Sequence, residues 1–164
     1  MRSATAGAIG GLVAGAVIAG VQTLGMDAGW LQDNLSEDTQ DWMDDTFGAR
    51  GRLGGDGVMA VEQAGHYAAS VGLGAAYGAV RPYLPVPGVL SGALFGAAVY
   101  AVAVAGVLPE LGVTRGERRE PEGVPTERFG LHVLYGALIG VVADALNDRR
   151  VKVVRTEVRA LPTG

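Results

Sequence analysis

Long apolar runs alternate with charged or proline-rich segments along the chain. A helix rises about 1.5 Å per residue, so about 20 apolar residues suffice to cross a hydrocarbon core about 30 Å thick. The pattern therefore predicts an all-α fold, a four-helix transmembrane bundle, with spans at 4–25, 58–80, 89–108 and 129–146. A cleaved signal peptide is the alternative for the first run because Arg2 precedes it, but the run is rich in glycine and lacks a small-x-small cleavage site.

Glycine is unusually frequent, with 27 residues in a chain of 164. In a water-soluble helix each glycine costs about 1 kcal/mol relative to alanine, whereas in a bilayer small residues let helix backbones approach closely. Several fall four apart and so line one side of a helix. We therefore predict that the helices associate through Gly7, Gly11, Gly15, Gly72, Gly92, Gly96, Gly136 and Gly140.

The segments between the runs differ in charge. Residues 26–57 are acidic with interleaved aromatic side chains, which predicts a short amphipathic helix at the membrane interface and a solvated acidic face. The Asp-x-Asp-x-Asp-Gly spacing of a calcium loop is absent from the sequence. The proline-rich stretch 81–88 predicts a rigid turn. We expect the helix of the fourth span to fray at Asn147 and Asp148. One membrane domain, 1–148, should thus be followed by a basic tail, 149–164, that forms a short strand, lies along anionic headgroups or is disordered.

The net charge of −4 and the absence of cysteine restrict the function classes. The charge is small and the bases gather at the C-terminus, which argues against a nucleic-acid partner. Without cysteine there are no disulfides and no thiolate metal sites, so the redox compartment stays undetermined. The densest basic cluster follows the last span, and the positive-inside rule then favours both termini in the cytoplasm.

Polar side chains inside the predicted spans are the candidates for any activity, because an ionisable group in hydrocarbon is costly without a partner. The simpler interpretation is a boundary glutamate near water and histidines that are hydrogen-bonded within the bundle. The two histidines can approach one another if spans two and four are neighbours. The acid near the end of span four either marks the opposite end of a polar pathway from the histidine of that span or simply reaches water. The candidate polar pathway comprises Glu62, His66, Tyr77, His132, Tyr135 and Asp144.

The order of short motifs in spans two to four resembles a known family. These motifs are His66, Gly74 and Tyr77-Gly78 before Arg81-Pro82, then Gly92 and Gly96, then Leu108-Pro109-x-Leu111-Gly112, then His132-x-x-Tyr135-Gly136. Their order is similar to that of the small YagU-like inner-membrane proteins, over about residues 4–146. The resemblance implies a bacterial multi-pass membrane protein without an established enzymatic activity, linked in one branch to survival in acid.

Three functions are compatible with these features. The first is a structural, stress-related or accessory membrane protein that contacts the lipid bilayer and forms a homo-oligomer or part of a larger membrane complex. The second is a small proton- or solute-conducting channel or transporter that uses the candidate pathway. The third is a haem or metal site with His66 and His132 as ligands, joined for a metal by Glu62. No Ser-His-Asp arrangement, phosphate-binding loop or metalloprotease motif occurs in the sequence, so we predict no enzyme, no cofactor and no metal.

Overall fold

The structure, a computed structural model, describes residues 3–32 and 35–160, with the backbone alone for 148–160. Arg2 and the tail beyond Ala160 lie outside these residues. The main helices are α1 Ser3–Asp27, α2 Leu35–Phe47, α3 Ala49–Val80, α4 Gly88–Val99 and α5 Val124–Ala160. No β-strand occurs in the described ranges, and the all-α prediction is confirmed.

Three helices are long and apolar enough to cross a membrane. They are α1, the helix Gly88–Glu110 that begins with α4, and the part of α5 from Val124 to Asn147, with mean hydropathies of 1.9, 1.9 and 1.7. The predicted second span forms most of α3, but it is not among them. Glu62, Gln63 and His66 make this stretch more polar than the other three. The structure therefore confirms three candidate spans, and the crossing by α3 stays a prediction.

The acidic segment between the first two spans is mostly helical. It holds α2 and the first residues of α3, which continue from Ala49 into the predicted span. Gly54 interrupts α3 with φ 73° and ψ 171°, a conformation that glycine adopts readily because it lacks a Cβ. The chain thus turns at Gly54 before it enters the bundle.

The third predicted span does not remain a regular α-helix. After Val99 it widens into a π-helix over Tyr100–Val107 and ends with one α-helical turn, Leu108–Glu110. Pro109 has no N–H to donate to the Ala105 carbonyl, which removes one bond of the regular pattern. The wider segment carries Tyr100 towards the loop that follows.

The fourth predicted span is longer than expected. The helix does not fray at Asn147 and Asp148 but runs to Ala160, so residues 149–160 form neither a strand nor an irregular tail. The physical reason is that asparagine and aspartate lower helix propensity by only tenths of a kcal/mol. The residues that stop helices, glycine and proline, do not recur until Pro162.

Two antiparallel helical hairpins form the bundle. In the first, α1 packs against α3, and in the second α4 packs against α5; α1 also contacts α5 and joins the two hairpins. The central core is apolar apart from two tyrosines and comprises Ala14, Ile18, Tyr77, Leu131, Tyr135, Ile139 and Ala143.

Glycines bring the helix backbones of each hairpin into direct contact. We call the α1–α3 contact the first seam; it joins Gly7, Gly11 and Gly15 to Ser70, Gly74 and Gly78. We call the α4–α5 contact the second seam; it joins Gly88, Gly92 and Gly96 to His132, Gly136 and Gly140. A Cβ added at any of these glycines except Gly15 would meet a backbone oxygen of the facing helix, and at Gly15 it would meet the Ser70 side chain.

Gly72 is the exception among the glycines that the sequence assigned to helix packing. It is exposed, and nothing lies within 4 Å of a Cβ built on it. The small-residue stripe of α3 to which it belongs faces away from the other helices. Gly74 and Gly78 make the contact instead, because the stripe that carries His66 and Ser70 is the one that turns towards α1.

Candidate functional site

Most of the candidate polar residues lie around two adjoining cavities. The first, which we call the inner chamber, has a volume of about 160 Å³ and lies inside the bundle. Leu35 of α2 and Val99 at the end of α4 contribute to its wall. Its polar lining consists of Gln22, His66, Ser70, Arg128, His132 and Tyr135, and the rest is apolar.

The second cavity, which we call the outer cleft, has a volume of about 460 Å³ and lies between α1 and α3. Glu62, Gln63 and Tyr67 line it from α3, and Ser36 reaches it from α2. The side chains of Gln22 and His66 line both cavities. They therefore form a shared wall between a more polar cavity and a more apolar one.

His66 is oriented by the backbone of α1. Its Nε2 lies 3.2 Å from the carbonyl oxygen of Gly15. A carbonyl oxygen only accepts hydrogen bonds, so Nε2 carries the hydrogen and Nδ1 is an acceptor in the neutral ring. The imidazole also makes an edge contact with the Tyr67 ring, with centroids 5.4 Å apart.

His132 lines the inner chamber from α5. Its Nδ1 lies 2.8 Å from the carbonyl oxygen of Arg128, one helical turn earlier. Its ring packs beside Tyr100 with centroids 5.8 Å apart. The chamber thus brings the two histidines of the sequence to one cavity, each with a ring nitrogen on a backbone carbonyl.

The two core tyrosines connect the hairpins by buried hydrogen bonds. The Tyr135 hydroxyl donates to the Ser70 carbonyl oxygen at 2.7 Å, and so links α5 to α3. The Tyr77 hydroxyl lies 3.1 Å from the Gly88 carbonyl oxygen and 2.8 Å from Ser91 Oγ, linking α3 to α4. Tyr135 lines the inner chamber, whereas Tyr77 lines neither cavity.

Asp144 lies at the opposite end of the bundle, in an ion pair. Both of its carboxylate oxygens accept hydrogen bonds of 2.8 Å from the Arg81 guanidinium, and the Gly88 N–H donates to it at 3.1 Å. The hydrogen bond to Asp144 raises the pKa of Arg81, so this guanidinium stays charged. Asp144 lines neither cavity, and Arg81 faces this carboxylate rather than a lipid phosphate.

The buried charge of Arg128, at the end of the bundle where the two cavities lie, was not predicted from the sequence. Arg128, which directly precedes the predicted fourth span, lies inside α5 and is only 1% exposed. Its guanidinium pairs with three carboxylates: Asp38 at 3.0 Å, Glu117 at 3.3 Å and Glu120 at 3.4 Å. A buried arginine requires such partners. No sequence spacing indicated them, because Asp38 lies 90 residues away along the chain.

A metal or haem site finds little support in this geometry. Within residues 3–32 and 35–147, whose side chains the structure describes, no group of three histidines or carboxylates is placed to hold a metal ion. An apolar cavity of about 150 Å³ holds a benzene-sized molecule, so an inner chamber of about 160 Å³ is too small for a porphyrin. The cavities suit a much smaller guest.

The chain was compared with family models, with curated proteins and with solved structures. No family model, curated protein or solved structure matches it.

Proposed function

We propose that this chain is a four-span protein of the bacterial inner membrane with a structural, stress-related or accessory role and no catalytic activity. The observation that carries the proposal is the first seam. Gly7 contacts Gly78 near one end of α1, and Gly15 contacts Ser70 two turns further along. Because α3 lies against α1 over this length, backbone to backbone, it occupies the same depth as a candidate span. His66 and Tyr77 of α3 are hydrogen-bonded to the neighbouring helices, as polar side chains in a membrane helix require.

The contacts of the candidate pathway favour a structural role over conduction. A continuous route would have to pass from Tyr135 to Tyr77 and then to Asp144. Tyr77 is 0% exposed and hydrogen-bonded to α4, and Asp144 is held by Arg81. The second candidate, a channel or transporter, is favoured by the two adjoining cavities around His66, but these lie towards one end of the bundle.

The resemblance to the YagU-like proteins is consistent with this proposal. The resemblance suggests an inner-membrane location and a role in stress, and the positive-inside rule suggests that both termini are cytoplasmic. Association with a second copy or with a larger membrane complex remains part of the same proposal.

The number of spans can be tested by cysteine labelling, because the chain has no cysteine of its own. Three single variants are used: Asp45→Cys in α2, Tyr83→Cys in the turn after α3, and Arg118→Cys in the loop before α5. Cells whose outer membrane alone has been made permeable are treated with a maleimide that does not cross the inner membrane. Under this condition we expect labelling of Asp45→Cys and Arg118→Cys. Tyr83→Cys should react only after the inner membrane is opened.

Two other results are informative. If Asp45→Cys and Tyr83→Cys react under the same condition, α3 does not cross the bilayer and the four-span proposal fails. If the pattern is inverted, so that only Tyr83→Cys reacts in intact inner membranes, the four spans stand and the cytoplasmic placement of the termini is wrong.

A further inference from the structure

The outer cleft and the inner chamber together form an amphipathic binding space. The cleft is lined by polar side chains such as Glu62, Gln63 and Tyr67. The adjoining chamber is lined mainly by apolar side chains such as Ile18, Leu73 and Leu131. A guest that fills both therefore needs a polar head and a compact apolar body.

The polar groups at the boundary are hydrogen-bond acceptors with unused capacity. The Nδ1 atom of His66 is an acceptor, because Nε2 donates to Gly15. Glu62 receives one hydrogen bond, of 3.0 Å from Gln63 Nε2, and a carboxylate accepts several. The side-chain amide of Gln22 lines both cavities, and its oxygen can accept a hydrogen bond. A primary ammonium group has three N–H donors, which these three side chains can accept.

The charge around the cavities also favours a cation. Glu62 is the charged side chain of the outer cleft. At the inner chamber, Arg128 is the charged residue of the lining, and it is paired with the carboxylates of Asp38, Glu117 and Glu120, which do not line the chamber. The positive charge of Arg128 is therefore balanced within the bundle, which leaves the carboxylate of Glu62 to attract a cation. The Tyr67 ring adds a face that attracts cations.

The volume of the chamber sets the size of the apolar body. A cavity of about 150 Å³ accommodates benzene, and the inner chamber measures about 160 Å³. We propose that the outer cleft and inner chamber bind a small primary amine whose ammonium group contacts Glu62 and His66 and whose ring-sized apolar body enters the chamber. This site goes beyond the proposed structural role, and a failure to bind amines would leave the labelling result unchanged.

The test uses the full chain in phosphatidylcholine nanodiscs, which carry no net charge. The probe is 4-fluorobenzylamine, protonated at neutral pH, and its binding is followed by fluorine NMR. Its uncharged analogue, 4-fluorobenzyl alcohol, and its anionic analogue, 4-fluorobenzoate, have a body of the same size. We expect saturable binding of the amine, and binding about tenfold weaker or worse for both analogues, because a hydrogen bond to a charged group contributes about 1.5 to 3 kcal/mol.

Two substitutions test the two parts of the site. Glu62→Gln removes the charge at almost constant size and should weaken amine binding by about tenfold. The matched control is Glu37→Gln, an exposed glutamate of α2 outside both cavities. Val99→Phe adds a ring at the chamber wall and should abolish binding of the probe. Size-exclusion and circular dichroism profiles show whether each variant keeps its fold. If Val99→Phe does not fold, the comparison of wild type with Glu62→Gln still tests the proposal.

Three results would overturn the proposal. The first is equal affinity of wild type and Glu62→Gln for the amine. The second is equal affinity for the amine and the alcohol, which would mean that only the apolar body is recognised. The third is the same signal from nanodiscs without protein, which would mean partition into lipid.

Discussion

The histidines and tyrosines inside the bundle are hydrogen-bonded to backbone oxygens. His66 meets the Gly15 carbonyl, and Tyr135 meets the Ser70 carbonyl. The sequence identified these side chains as costly in a membrane, but their partners are backbone atoms, and every residue has those. Residue identity therefore predicted which groups need partners and not which groups supply them.

The Arg81–Asp144 pair yields a prediction at this scale. Arg81→Gln and Asp144→Asn should each lower the free energy of unfolding by about 1 to 2 kcal/mol, because a two-fold, charge-assisted pair is lost at a partly exposed site. The measurement is unfolding in mixed micelles titrated with dodecyl sulfate. Asp56→Asn, at an exposed carboxylate of α3, is the control.

The double variant separates this pair from independent effects of the two substitutions. Arg81→Gln with Asp144→Asn should cost less than the sum of the single changes, by about 1 kcal/mol. Strict additivity would show that the two side chains do not interact in the folded protein.

At the scale of the helix, glycine spacing decides how closely two elements pack. The first seam brings Gly7 and Gly74 so close that each would place a Cβ on the carbonyl oxygen of the other. The repeat at intervals of four was visible in the sequence on α1, α4 and α5. Two stripes of α3 could pack against α1. One consists of small residues and contains Gly72, and the other mixes small and polar residues and contains His66 and Ser70. The mixed stripe packs inward because its polar side chains need partners inside the bundle.

A matched pair of glycines on one helix tests this account. Gly74→Ala should destabilise the protein by about 1 to 3 kcal/mol, because the added methyl group meets the Gly7 carbonyl and the Gly11 Cα. Gly72→Ala, two residues away, should be neutral or stabilise the protein by up to about 1 kcal/mol, since its Cβ enters open space and alanine favours helix. The same micelle unfolding assay compares them. Equal losses in both variants would contradict the seam.

At the scale of the molecule, two hairpins of similar construction lie side by side. Each has three glycines four residues apart on its first helix and a matching row on its second. Contact between α1 and α5 and a few polar links hold the hairpins together. The buried links are the hydroxyl groups of Tyr77 and Tyr135.

Removing these hydroxyl groups should loosen the contact between hairpins without changing either seam. Tyr77→Phe and Tyr135→Phe should each lower stability by about 1 kcal/mol, the usual net contribution of one hydrogen bond, and more if a buried carbonyl stays unpaired. Tyr83→Phe is the control, because Tyr83 is 83% exposed in the turn. Amide exchange in nanodiscs should quicken at both helices that the hydroxyl joins. A loss in Tyr83→Phe as large as in the core variants would argue against a specific link.

The sequence by itself determined the helical class, three apolar helices of membrane length and the glycine rows of α1, α4 and α5, because these depend on the order of residues within one helix. It also located four side chains that line the cavities, Glu62, His66, His132 and Tyr135. Only the tertiary structure decided that Asp144 belongs to Arg81, that Arg128 is buried among three acids, and that Gly72 faces outward. These outcomes depend on how each helix is rotated against its neighbours, which is set by the sum of packing and polar contacts across the bundle rather than by any local pattern.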